Sequence, residues 1–122
     1  MRCAIESDAA ELARLHDALR KALVYMGRHY AESISLGQLA HISAVSPSHL
    51  SFLFRTSLGT SFKSLLQGIR VEMAKACIRN GGPQRITEVA QRVGFADLSH
   101  FEKSFRRLGG QSPREYRRAA LS

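Results

Sequence analysis

A chain of 122 residues, 44% of them hydrophobic, holds one compact domain or two small units, and no apolar run approaches the ~20 residues of a membrane-spanning helix. Two cysteines, Cys3 and Cys77, are too few for a disulfide framework and lack metal-ligand spacing, and the opening MRCAIESDAAEL has no apolar signal core, so a cytoplasmic location is expected. The formal net charge of +8 lies wholly after residue 35: residues 1–35 balance five Lys/Arg against five Asp/Glu, residues 36–84 carry five against one, and residues 85–122 carry eight against four. Charge gathered this way fits a polyanionic partner, most commonly nucleic acid, although a solvated basic face gives the same pattern.

Leu12, Leu15, Leu19, Leu23, Met26 and Tyr30 step by three and four residues, which predicts one apolar stripe on a helix over 9–30. Ser35 with Gln38 three residues on predicts a capping box opening a helix over 36–43, with Ile34 and Leu39 as its hydrophobic staple. Ser46 followed by Pro47 opens the next, over 47–58, and Gly59 ends it. A long helix over 61–80 is expected to turn Phe62, Leu65, Leu66, Ile69, Met73, Ala76 and Cys77 inward, and Gly68 within it suggests a close helix contact. Helices over 86–93, 98–108 and 113–119 complete the chain, the last opened by Ser112, Pro113 and Glu115, with Gly81-Gly82 and Gly109-Gly110 at helix ends. The class is all-α with seven helices.

An internal repeat organises these elements. At an offset of 50, Leu39-Ala40 pairs with Val89-Ala90, Ala44 with Gly94 and Val45 with Phe95. With Ala96 as a single insertion the offset becomes 51, and Ser46 pairs with Asp97, Ser48-His49 with Ser99-His100, Phe54-Arg55 with Phe105-Arg106, and Gly59 with Gly110. Each copy reads as a short helix bearing a small Ala, a tight turn, and a second basic helix, which is the helix-turn-helix pattern. The subdomains span 9–60 and 81–120, joined by the 61–80 helix. About twenty residues of helix measure roughly 30 Å, close to the ~34 Å between successive major grooves on one face of DNA.

The segment ITEVAQRVGFADLSHFEKSFRRLGGQSPREYR from Ile86 closely resembles the signature of the AraC/XylS family of bacterial transcription regulators. SLGQLAHISAVSPSHLSFLFRTSLGTSFKSLL resembles the family's first helix-turn-helix and IRVEMAKACI its linker helix, for coverage of about residues 35–118. The resemblance implies two recognition helices in adjacent major grooves of double-stranded DNA, and usually activation through RNA polymerase. It implies base-reading by Ser48, Ser51 and Phe52 in the first unit and by Leu98, Ser99, Glu102 and Lys103 in the second, with phosphates held by Arg55, Arg106 and Arg107. Lysine suits guanine acceptors, glutamate a cytosine amino group, and arginines the phosphates that fix register. No cofactor, metal or membrane contact is expected, and the location would be nucleoid-associated. Members often carry a further N-terminal effector or dimerisation domain; a stand-alone short regulator and a piece of a longer one both fit these residues.

Three departures cluster in the first unit. Phe52 stands where the family often has Arg, Ser43 where the second copy has Val93, and Ala44 replaces the turn glycine. Packing on a thymine methyl, a protein contact, or a tolerated loss would each accommodate Phe52, and the first unit is expected to discriminate bases less than the second. Leu50, Leu53, Phe54, Phe95, Phe101, Phe105 and Tyr116 read as core, His49 and His100 as packing or phosphate-edge residues, and Arg70 as a brace for the long helix through an ion pair, with a solvated side chain as the alternative. Arg114, Arg117 and Arg118 read equally as phosphate contacts or a solvated face. An enzyme borrowing this module would need an activated cysteine, a metal cluster, an HExxH helix or a Gly-rich phosphate loop, and the sequence has none of these patterns. An interaction module that has lost DNA reading is the remaining class.

Overall fold

Among the described residues, seven α-helices follow one another as α1 (Ala4–His29), α2 (Leu36–Ser43), α3 (Pro47–Leu53), α4 (Phe62–Arg79), α5 (Ile86–Arg92), α6 (Leu98–Gly109) and α7 (Pro113–Ala120). The computed structural model describes residues 4–82 and 85–121, among which no strand occurs; Cys3 lies outside them. The helices form two compact units, one of residues 1–29 with 34–62 and the other of 30–33 with 63–122.

Local capping chemistry explains where the helices begin. The hydroxyls of Ser35, Ser46 and Ser112 accept from the backbone N–H three residues on, at 3.1 Å each, and the Asp97 carboxylate does the same for His100 at 2.7 Å. Only the Ser112 box is closed reciprocally, by Glu115. At Ser35 the expected box is half made, because the Gln38 amide donates to Tyr25 Oη on α1 at 2.9 Å instead of returning to its own cap. The predicted 47–58 helix also changes character: α3 ends at Leu53 and the chain widens into a π-turn over Phe54–Leu58, closed by Gly59 at φ 67°.

In the first unit α1 packs on α2 and α3 around Ala18, Leu19, Ala22, Met26, Leu39, Ala40, Leu50, Leu53 and Phe54. Leu12 departs from the predicted stripe and is 59% exposed.

The second core joins Val71, Ala74 and Ile78 of α4 to Ile86, Val89, Ala90, Val93, Phe95, Phe101 and Phe105. Phe95, Phe101, Phe105 and Tyr116 form an edge-to-face series with centroid separations of 5.1, 5.7 and 5.6 Å. The face of α4 is not the one expected: of the predicted set only Leu66 is fully buried, and Met73 is exposed. Arg70 and Lys75 border the true face, with Arg70 6.0 Å above the Phe95 ring and Lys75 6.0 and 5.9 Å above Phe105 and Tyr116. Charged residues whose stems cover aromatic rings look solvated in a periodicity count, and they hid the stripe. A Cβ on Gly68 would meet nothing within 4 Å, so the close helix contact anticipated there is absent among the described residues.

The repeat is preserved down to its backbone hydrogen bonds. Ala44 N–H donates to the His41 carbonyl and Val45 N–H to that of Ala40, at 3.2 and 3.1 Å; fifty residues on, Gly94 donates to Gln91 and Phe95 to Ala90, at 3.1 and 2.9 Å. Both turns need positive φ, which is 59° at Ala44, the one non-glycine residue so placed among those described, and 103° at Gly94. Next to this turn, Ser43 is 4% exposed and its hydroxyl has no hydrogen-bond partner, where the second copy buries Val93. Ser43→Val therefore raises stability by about 1 kcal/mol, because an unpaired buried hydroxyl gives way to an apolar group beside an adjoining cleft of about 420 Å³. Urea denaturation reads this, and a lower midpoint would show that the added methyl groups do not fit.

Candidate nucleic-acid interface

Each unit turns one face of its second helix outward. On α3 and the π-turn, Ser48, Phe52 and Arg55 are exposed and Ser51 is half-buried, at steps of three and four that form a single face. On α6, Ser99, Lys103, Arg106 and Arg107 are exposed, while Leu98 and Glu102 are half-buried. Leu98 also packs against the second core, which leaves it less side chain to offer a partner than the sequence suggests. The opposite face of α6 carries Phe101, Ser104 and Phe105 into that core.

Several basic residues of this face are held by neighbours. Arg106 forms an ion pair with Glu115 at 2.8 Å, and Arg107 donates to Gln67 Oε1 at 2.7 Å. The Gln67 amide nitrogen lies 3.1 Å from His100 Nε2, so one α4 side chain positions two residues of α6. His100 also stands edge-on to Phe95, and no group of three or more metal-ligating side chains occurs among the described residues. Arg70 braces the chain as expected, but through carbonyls: Nε donates to Tyr30 O at 2.7 Å and a terminal nitrogen to Glu32 O at 2.9 Å. Its burial pulls the guanidinium below its ordinary pKa. Local sequence gives no sign of Gln67's role, since its partners lie 33 and 40 residues away.

Arg85, ahead of α5, joins Arg114, Arg117 and Arg118 of α7 around one recess of about 540 Å³. The sequence singles out the α7 arginines but not Arg85, which only the fold puts beside them. Among the described residues no helix is long and apolar enough to cross a membrane.

Residues 39–119 match the model of a helix-turn-helix domain family. The chain belongs to the AraC-type helix-turn-helix family of DNA-binding transcription regulators. It is 33% identical over 116 residues to the HTH-type transcriptional regulator GlxA of Rhizobium meliloti, covering 95% of this chain and 36% of that one. The C-terminal domain of AraT, a response regulator from Geobacillus stearothermophilus, superposes with a TM-score of 0.77 at 34% identity over 84% of each chain. The DNA-binding domain of AdpA, a global transcriptional factor solved in complex with a target DNA, does so with a TM-score of 0.78 at 28% identity, over 84% of this chain and 92% of that one. This AraC-type chain spans between 13% and 36% of the length of the curated relatives it matches.

Within this AraC-type domain the Arg106–Glu115 pair has a pH signature. The Ser112 hydroxyl and backbone, and then Arg106, hold the Glu115 carboxyl below its ordinary value of 4.5. A depressed carboxyl stabilises the fold above its unfolded pKa and loses that contribution as pH falls through the lower folded value. The melting temperature of the wild type should thus decline as pH drops from 4.5 downward more steeply than that of Glu115→Gln. Parallel declines would remove the pair from the acid limb.

Proposed function

We propose that this chain is a sequence-specific DNA-reading module of a transcription regulator, which lays α3 and α6 in successive major grooves on one face of a duplex. Ser48, Ser51, Phe52, Leu98, Ser99, Glu102 and Lys103 would meet base edges, and Arg55, Arg106 and Arg107 phosphates. The observation that carries this reading is the repeated unit itself: a capped second helix with an exposed outer face, basic on α6 and ending in Arg55 in the first copy, set by the same turn hydrogen bonds in each. The 18 residues of α4 measure about 27 Å, a length compatible with one groove-to-groove step. Activation through RNA polymerase belongs to the reading on family resemblance alone.

Selection from a random duplex library, followed by affinity against salt concentration, tests it. Enrichment of two short elements about one helical turn apart, with affinity falling steeply as salt rises, is the expected result. A single element would withdraw one helix from base reading. No enrichment together with shallow salt dependence would reject DNA as the ligand.

A further inference from the structure

The two outer helix faces offer a duplex different chemistry. The repeat aligns Ser48 with Ser99, Ser51 with Glu102, Phe52 with Lys103, Arg55 with Arg106 and Thr56 with Arg107. Where α6 presents two cations one turn apart, the first unit therefore presents a phenyl ring and a threonine. Phe52 is 61% exposed, while Leu50, Leu53 and Phe54 around it are buried, so the ring does not serve the core of its own unit. One turn on, the exposed Thr56 donates its hydroxyl to the Phe52 carbonyl at 2.9 Å. That donor is used within the helix, which leaves the threonine methyl as the group with no polar engagement.

In the major groove, guanine, cytosine and adenine display hydrogen-bond donors and acceptors, and the thymine C5-methyl is the apolar group on offer. A phenyl ring placed against a guanine edge would strip water from O6 and N7 and return no hydrogen bond. Against a thymine methyl, both surfaces lose water favourably. We infer that Phe52, flanked by Thr56, makes the first unit select thymine through its C5-methyl group, whereas Lys103 directs the second unit toward guanine. The inference rests on the DNA-reading function proposed above. It makes the operator chemically asymmetric, with a methyl-read element under α3 and a hydrogen-bonded element under α6. Ser51 and Ser48, with short hydroxyl side chains, let α3 approach closely enough for ring-to-methyl contact, where a longer polar residue would hold the helix off.

The test removes the methyl without altering any hydrogen bond. In the duplex selected by the full chain, each thymine is replaced singly by deoxyuridine, and the dissociation constant is measured for the wild type, Phe52→Ala and Phe52→Lys. At one or two thymines of a single element, uracil should weaken wild-type binding about three- to tenfold. Phe52→Ala should lose a similar factor on the thymine duplex and nothing more on the uracil duplex, with an unchanged melting temperature because the ring is exposed. Phe52→Lys, which copies the aligned residue of the second unit, should shift the base selected at that position toward guanine. Uracil penalties equal in wild type and Phe52→Ala would overturn the inference. So would Phe52→Ala binding the thymine duplex as tightly as the wild type, an outcome that turns the ring toward a protein partner. Two enriched elements without any uracil effect would reject the methyl contact and leave the DNA-reading function standing; no enrichment at all rejects both.

Discussion

Gly94→Ala lowers the stability of the chain by about 3 kcal/mol, while Ala44→Gly, at the aligned position of the other copy, raises it by about 0.5–1 kcal/mol. The same turn gives opposite signs because its surroundings differ. Both residues need positive φ, and a side chain there costs ~1–2 kcal/mol; Ala44 already bears that strain, so glycine relieves it, less the entropy a glycine adds to the unfolded chain. At Gly94 the strain is compounded by crowding. A Cβ would lie 2.9 Å from Arg70 Nε and 3.0 Å from both Cα and O of Ala31. The backbone of Ala31 cannot yield as a flexible side chain does, and Arg70 is tied to the Tyr30 and Glu32 carbonyls. Making room breaks one or both of these charge-assisted bonds and lifts the guanidinium from Phe95. Chemical denaturation of the two variants beside the wild type measures this. An unchanged midpoint for Gly94→Ala would mean that the Tyr30–Ser33 segment peels away at little cost.

Lys103→Ala and Arg55→Ala should weaken DNA binding in different ways. Lys103 is exposed on α6, and it sits where a base-reading cation is expected. Its removal should cost about 1–3 kcal/mol on the selected duplex, roughly 5- to 150-fold, and should flatten base preference at one position of one element. Arg55, at the end of the first unit's outer face, should act as a phosphate contact. Arg55→Ala should lower affinity for all duplexes alike and reduce the slope of log affinity against log salt by about 1. Isotherms on the selected site and on single-base variants, at several salt concentrations, separate the two. A sequence-independent loss for Lys103→Ala would reassign it to the phosphates, and a change in base preference for Arg55→Ala would move that residue to the base edges.

Much of the outer face was legible beforehand because it depends on short-range rules. A face whose residues recur at three and four positions can be drawn from the sequence once the helix is known, and Ser48, Phe52, Arg55, Ser99, Lys103 and Arg106 all emerge exposed on theirs. What the drawing lacks is the set of intrachain partners. Arg106 and Arg107 look alike in sequence, yet one is engaged by Glu115 and the other by Gln67 from α4. Nothing in the local sequence marks Thr56, whose hydroxyl is bonded to the Phe52 carbonyl.

The sequence by itself determined the all-α class, the starts of α2 to α7 to within one residue and the doubled helix-turn-helix, because caps, turn residues and apolar spacing act within about four residues of the chain; α1, expected from residue 9, already runs from Ala4. It also fixed the charge bias, which fits a polyanionic partner and a solvated basic face alike. Only the tertiary structure decided which face of α4 is buried, that Arg70 and Lys75 roof the aromatic series, that Gly94 is crowded while Gly68 is not, and that Arg85 gathers with the arginines of α7. Each of these joins residues between 24 and 63 positions apart in at least one of its contacts, as Gly94 with Arg70 and Ala31, or lies on a helix whose apolar residues surround it. At such separations no local propensity distinguishes one neighbour from another, and the outcome is set by which aromatic rings and carbonyls the folded chain brings within reach.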